Sequence, residues 1–247
     1  MLLAALDQRR PTGDVDLLAK DVANDIGTVS DLVREVLRLE FDDGVVFNVE
    51  ELRAQVIRDT DLYSGVRIVV PATVARARHP LRLDVNVGDP VTPSPVEIEF
   101  PALLGEPFTI IGYPIETVLA EKIVTMIDRG DTTTRERDFA DVILLTRRHR
   151  IEAATLARAV RVTGAHRQSD LRSLRIVLSA LATMRHADWD RFVTRSGLTD
   201  RVPPSYNEAI EEVIIFADPI VTGAITSGSW NPADRAWTIA SGSSSKP

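Results

Sequence analysis

The chain has 247 residues, a formal net charge of −7, 44% hydrophobic and 26% charged residues, and no cysteine. That balance suits a globular chain of one large domain or two small ones. The lack of cysteine excludes disulfides and thiolate metal sites, and the four histidines share no zinc-like spacing. No apolar run approaches the ~20 residues of a membrane span. The apolar start Met1–Leu6 is too short for a secretory signal, so a cytoplasmic protein with no membrane partner is expected.

In chain order, Met1–Gln8 reads as the end of a helix, with Leu2, Leu3 and Leu6 on one face. Arg9–Gly13 is a turn and Asp14–Leu18 a strand. Alternation then puts Asp14 and Asp16 on one face of that strand and Val15 and Leu17 on the core side. Thr28 or Ser30 caps a predicted helix running to about Leu39. From Phe41 the period changes to two. Strands are predicted at Val45–Val49, Gly65–Ala72, Leu81–Asp89, Val96–Phe100 and Phe108–Tyr113, with Leu52–Asp59 a strand or a helix.

Composition shifts at Tyr113-Pro114, and helices follow: Glu116–Asp128, Glu136–Arg147, Ile151–Val162, Asp170–Met184, Asp188–Ser196 and Glu208–Phe216. The fold class expected is α/β (α+β), a mixed sheet with flanking helices followed by a mainly helical half. The divisions are an α/β domain over 1–113, a helical domain over 114–224 and a flexible Gly/Ser-rich tail over 225–247.

Asp14 and Asp16 either sit in a solvated turn or share a cation, because two neighbouring carboxylates repel unless something positive lies between them. Asp84 bears on that choice. It is an acid on the polar face of the strand in which Leu81, Leu83, Val85 and Val87 point the other way. Three carboxylates on adjacent strands suit Mg²⁺ or Mn²⁺ and a triphosphate. Lys122 interrupts an apolar helix pattern; it is a surface lysine beside Glu121 or a point charge for phosphate, and Arg129 shares its face two turns on. Asp138 either satisfies its helix N-terminus or fixes Lys122, with Asp141 its neighbour at i+3.

Between Arg147 and Arg175 lie eight arginines and two histidines against only Glu152 and Asp170. In an acidic protein this is a local positive region, either a solvated helix face or a surface that tracks RNA phosphates. Its first members are Arg147, Arg148, Arg150, Arg158 and Arg161. Neither a P-loop nor a nucleophile elbow is present.

Four segments, in order, resemble the AbiEii/AbiGii (MenT-like) nucleotidyltransferase toxins of the DNA polymerase beta-like nucleotidyltransferase superfamily. They are Arg10-Pro11-Thr12-Gly13-Asp14-Val15-Asp16-Leu17, Leu83-Asp84-Val85-Asn86-Val87-Gly88-Asp89, Leu119-Ala120-Glu121-Lys122-Ile123 and Arg137-Asp138-Phe139-Ala140-Asp141-Val142-Ile143-Leu144. The resemblance covers about the first 146 residues. It implies a toxin of a type IV, AbiE-like system with an AbiEi-type antitoxin. The implied activity is Mg²⁺-dependent transfer of nucleotides from an NTP to an RNA acceptor, the tRNA 3′ end foremost, blocking aminoacylation. Asp14 and Asp16 would be metal ligands and Asp84 the third carboxylate, a ligand or base. Lys122 would hold nucleotide phosphate with Arg129, Asp138 would support it, and Arg10 and Thr12 would flank the phosphate path.

One departure accompanies the resemblance. The superfamily's first motif, Gly-Gly or Gly-Ser at a helix N-terminus, lies about ten or more residues before the acid pair and cradles the triphosphate. Here Met1-Leu2-Leu3 falls where the residues after that motif belong, so the α/β domain reads as truncated at its start. Either the natural N-terminus is lacking or the triphosphate-gripping turn is; the second case, with the acidic net charge, favours a catalytically silent nucleotidyltransferase-fold binding module. Transfer of the nucleotide to a protein hydroxyl is a third reading, which the same site chemistry would serve.

Overall fold

The computed structural model describes residues 13–60, 63–102, 105–184 and 186–238. The expected helix at Met1–Gln8 and the candidate residues Arg10 and Thr12 lie outside them. The chain divides into two compact units, the first ending at Asp89 and the second running on from Pro90. The break falls well before the composition shift at Tyr113-Pro114, so the Val96–Phe100 and Phe108–Gly112 strands belong to the second unit.

Among the described residues the first unit is a five-stranded mixed sheet with one α-helix and a short 3-10 turn at Val49–Glu51. Its strands are β1 (Val15–Ala19), β2 (Val45–Phe47), β3 (Arg53–Thr60), β4 (Tyr63–Val74) and β5 (Ala77–Val87). The order is β1-β5-β4, and β4 is long enough to carry β3 along its first half and β2 along its second. β1 runs parallel to β5; the other pairings are antiparallel. The segment Leu52–Asp59, left open by its sequence pattern, is a strand.

Helix α1 (Ile26–Leu37) begins earlier than Thr28 or Ser30. Asp25 is the cap, accepting a 2.8 Å hydrogen bond from the Thr28 amide, and Ser30 is buried inside the helix. The helix lays Val29 and Val33 against Val66, Ile68 and Val70 of β4 and Leu83 and Val85 of β5. Because these strand residues alternate, every second residue between them faces away from the helix. Arg67, Arg82, Asp84 and Asn86 occupy that opposite face. Val15 packs onto the core as its alternation requires, while Leu17 is left 38% exposed.

The second unit contains the hairpin β6 (Val96–Phe100) and β7 (Phe108–Gly112), then α2 (Ile115–Arg129), α3 (Glu136–Thr146) and, after β8 (Ile151–Glu152), α4 (Ala153–His166). Gly130 ends α2 in a backbone conformation with φ +50°, which favours glycine. In α3 every residue but Arg137 is buried.

The helix expected over Asp170–Met184 is instead two short pieces, α5 (Leu174–Val177) and α6 (Leu181–Met184). Asp218 explains the late start: its carboxylate accepts from the Leu174 amide at 2.6 Å and from Ser173 Oγ at 3.2 Å, fixing the chain just ahead of α5. After α7 (His186–Arg195) comes α8 (Tyr206–Val221), capped by Ser205 rather than starting at Glu208. It runs past Phe216 with Pro219 inside its last turn.

The expected flexible tail is also ordered over part of its length. β9 (Ser229–Asn231) pairs with β10 (Ala236–Thr238) and with β8. Two tryptophans account for this. Trp230 Nε1 donates to the Thr146 carbonyl at 2.8 Å and Trp237 Nε1 to the Phe216 carbonyl at 2.9 Å, so Trp230 is buried and Trp237 half-buried, each with its polar atom satisfied.

Candidate active site

The sheet register of the first unit assembles its candidate residues. β1 and β5 pair Asp16 with Asp84; β5 and β4 pair Asp84 with Arg67; β4 and β3 pair Arg67 with Gln55. Residues opposite each other in a ladder share a face. A polar row therefore crosses four strands: Asp16, Asp84, Arg67, Gln55. Asp14, two residues before Asp16, precedes the first residue of β1 and is half-buried.

Arg67 is the residue that sequence reasoning missed. Its guanidinium forks onto Asp84, Nε donating to Oδ1 at 2.7 Å and Nη2 to Oδ2 at 2.6 Å. This is the bidentate arrangement that suits a carboxylate best. The Asp84 side chain is 14% exposed and that of Arg67 36%. The hydrogen bond to Asp84 raises the Arg67 pKa; partial burial opposes the rise, and the charges of Asp84, Asp14 and Asp16 add to it. All three acids thus act on one cation.

The donor chemistry of Asp14, Asp16 and Asp84 fits a hard divalent ion. Among the described residues, however, no group of three or more acids and histidines is gathered closely enough to hold one. Both oxygens of Asp84 are taken by Arg67. Each Asp84 oxygen keeps a further lone pair beside its bond to Arg67, and Asp16 is its neighbour across the ladder.

In the second unit, α2 and α3 bring Lys122 to two carboxylates. Lys122 Nζ donates to Asp141 Oδ2 at 2.7 Å and to Asp138 Oδ1 at 3.1 Å, and Arg135 Nε donates to Asp138 Oδ2 at 2.6 Å. The side chains of Asp138 and Asp141 are 2% and 0% exposed and that of Lys122 16%. Acids this deep need a cation, and Lys122 supplies it. Burial pulls the Lys122 pKa down, but the charges of Asp141 and Asp138 outweigh it and the net shift is upward. Burial likewise pushes Asp138 up, and Lys122 with Arg135 turns the net shift downward.

Of the two sequence readings of Asp138, the structure has the one that ties it to Lys122. Asp141, not singled out as a site residue, makes the shorter bond. Its signal was present: i+3 from Asp138 on a helix with an apolar remainder. Arg129, in the last turn of α2, is half-buried.

The positive region separates into different roles. Arg147 points inward, giving Nε to Glu212 Oε1 at 2.6 Å, Nη2 to Oε2 at 2.7 Å and Nη1 to the Arg201 carbonyl at 2.8 Å. Arg167 donates to Thr125 Oγ1 at 2.8 Å, and Arg175 pairs with Glu211. Arg148, Arg150, Arg158 and Arg161 are exposed, with Arg150 3.6 Å from Glu152. The structure thus keeps four of the five candidate RNA contacts at the surface and commits the fifth to the fold.

The mixed sheet with its helices is a nucleotidyl transferase fold. The AbiEii family model, described as a nucleotidyl transferase toxin of a type IV toxin–antitoxin system, matches residues 1–212. The chain belongs to the AbiEii family of nucleotidyl transferase toxins. No curated protein matches it. Two solved structures from Helicobacter pylori are similar at low identity. JHP933 is 17% identical at a TM-score of 0.44, with 87% of this chain and 77% of that one covered. A second, provisionally described as a nucleotidyltransferase, is 18% identical at a TM-score of 0.42, with 87% and 80% covered.

Proposed function

We propose that this protein is a toxin that transfers nucleotides from an NTP to an RNA acceptor, the tRNA 3′ end foremost, in a Mg²⁺- or Mn²⁺-dependent reaction. The observation that carries the reading is the polar row of Asp16, Asp84 and Arg67 on the open face of a helix-backed sheet. In this reading Asp14 and Asp16 hold the metal, with Asp84 as the third carboxylate. The bound ion would supply charge to the triphosphate.

The acceptor hydroxyl attacks the α-phosphorus in line. Its proton passes to the Asp84 carboxylate, and the bond to the leaving pyrophosphate breaks. Lys122 has three N–H donors and spends two on Asp141 and Asp138, which leaves one for a phosphate oxygen. Arg10, Thr12 and Arg129 are assigned to the nucleotide by the same reading. Arg148, Arg150, Arg158 and Arg161 are assigned to the RNA backbone. Loss of tRNA charging makes such an enzyme a toxin in the cytoplasm, and an AbiEi-type antitoxin is the expected counterpart. Among the described residues no helix is long and apolar enough to cross a membrane.

One observation favours a second reading. The hold of Arg67 on both Asp84 oxygens suits a module that binds nucleotide without turning it over. A single experiment separates the two. The full chain is incubated with total RNA and each labelled NTP, with and without Mg²⁺, and label and pyrophosphate are followed. Label in tRNA-sized RNA, together with pyrophosphate release only in Mg²⁺, is expected. NTP binding with neither product establishes the silent module. Label in protein alone moves the acceptor to a protein hydroxyl.

A further inference from the structure

The polar face of the sheet holds three acids, Asp14, Asp16 and Asp84, and four arginines, Arg53, Arg67, Arg78 and Arg82, of which Arg78 lies four residues from Arg82 toward the β4–β5 turn. Arg67 is spent on Asp84. Arg82 is not: it is exposed, and among the described residues it makes no ion pair or side-chain hydrogen bond.

Its place in the ladder is specific. Leu83 pairs with Val15, so Arg82 lies beside the chain just before β1, where Asp14 sits. Arg82 Nη1 comes within 3.7 Å of where a Cβ on Gly13 would be. Asp84 is two residues further along the same strand and face. Arg53 shares the face but lies two strands away, opposite Val69, which is in turn opposite Arg82.

A face that sets an uncommitted guanidinium between carboxylates suits a ligand with both signs of charge. A metal-bound polyphosphate is such a ligand: its cation meets the acids and its oxygens meet the fork of an arginine. We propose that Arg82 is a phosphate-binding residue of this face, taking the polyphosphate of the nucleotide beside Asp14. The proposal rests on the nucleotidyltransferase reading above and adds a residue outside the four segments that carry the family resemblance. RNA backbone phosphate offers the same chemistry, so the test has an arm for each source.

Binding to full-length protein is measured in Mg²⁺ by calorimetry with inorganic tripolyphosphate as one probe and a short single-stranded RNA as the other. The proteins are wild type, Arg82→Ala, Arg82→Lys and Arg53→Ala. Arg82→Ala is expected to weaken tripolyphosphate about tenfold or more, as loss of a charge-assisted contact does, and to leave RNA within about twofold. Arg82→Lys recovers part of the loss, because it keeps the charge without the fork. Arg53→Ala leaves tripolyphosphate binding unchanged.

Unchanged tripolyphosphate binding by Arg82→Ala, or a loss confined to RNA, overturns the assignment of Arg82 and leaves the nucleotidyltransferase reading standing. Wild-type protein that binds no tripolyphosphate, yet transfers nucleotide, overturns the assignment alone. Wild type that neither binds nor transfers overturns both. Unaltered circular dichroism of Arg82→Ala assigns the loss to the side chain, since Arg82 is exposed.

Discussion

The two units each set aspartates against cations, and they do so in opposite ways. On the sheet face the partners come from separate strands, meet through ladder register, and keep the Arg67 side chain 36% exposed. On α2 and α3 the partners come from neighbouring helix turns, and Asp141 is fully buried. The same chemical pairing is accessible in one place and enclosed in the other. Access decides what each can do: the sheet face can exchange partners with a ligand, whereas the enclosed cluster ties two helices together and keeps only the third N–H of Lys122 in reserve.

The sharpest way to break the contrast is to cut the enclosed cluster. Asp141→Ala leaves Lys122 with less charge compensation inside the protein, and a loss of about 3–5 kcal/mol in denaturant-measured stability is expected. A loss under about 1 kcal/mol contradicts the enclosed role.

The pH dependence follows from the same pairs. The Asp138 pKa is lowered on folding, so its contribution is complete above the unfolded value of 3.8 and fades as pH falls through the lower folded value. The Lys122 pKa is raised, so its contribution is complete below 10.5 and fades as pH rises through the higher folded value. Stability should therefore hold across neutral pH and fall at both extremes. Asp138→Asn should flatten the acid limb in pH-dependent unfolding.

Arg147→Ala comes next in size. Its partner Glu212 is 16% exposed and Arg147 itself 23%, so a cost of about 1–3 kcal/mol is expected after allowing for solvent. RNA affinity should hardly move, because this guanidinium is turned into the fold. Smallest are Arg158→Ala and Arg161→Ala, both exposed on α4. Stability should stay within about 0.5 kcal/mol. If they track RNA phosphates, each should lower the salt slope of RNA binding by about 1. An unchanged slope would remove them from the interface.

Much of the sheet was legible from alternation alone, because burying one face forces the period of two seen in Val66-Ile68-Val70 and Leu83-Val85. The same alternation put Asp84 on the open face. What it did not supply was the ladder. Arg67 meets Asp84 because β4 and β5 join at Val74 and Ala77 around a two-residue turn. That turn is Ala75-Arg76, with Ala75 at φ +52°, and it lacks the Asn-Gly or Asp-Gly that marks such turns in a sequence. With the turn hidden, the register was hidden, and so was Arg67.

The breaks in the second half have a similar origin. Asp218 fixes the start of α5 from 44 residues away, and a local pattern does not carry that distance. The tryptophans of the C-terminal hairpin act the same way, by reaching the carbonyls of Thr146 and Phe216.

The most direct test measures nucleotide transfer and thermal unfolding together in Asp16→Asn. Asp16 is exposed and opposite Asp84, so a role in chemistry rather than in the fold predicts lost transfer with the fold intact. Transfer of labelled nucleotide to RNA should fall by about three orders of magnitude or more while the unfolding midpoint stays at the wild-type value. Wild-type transfer by Asp16→Asn would contradict the account.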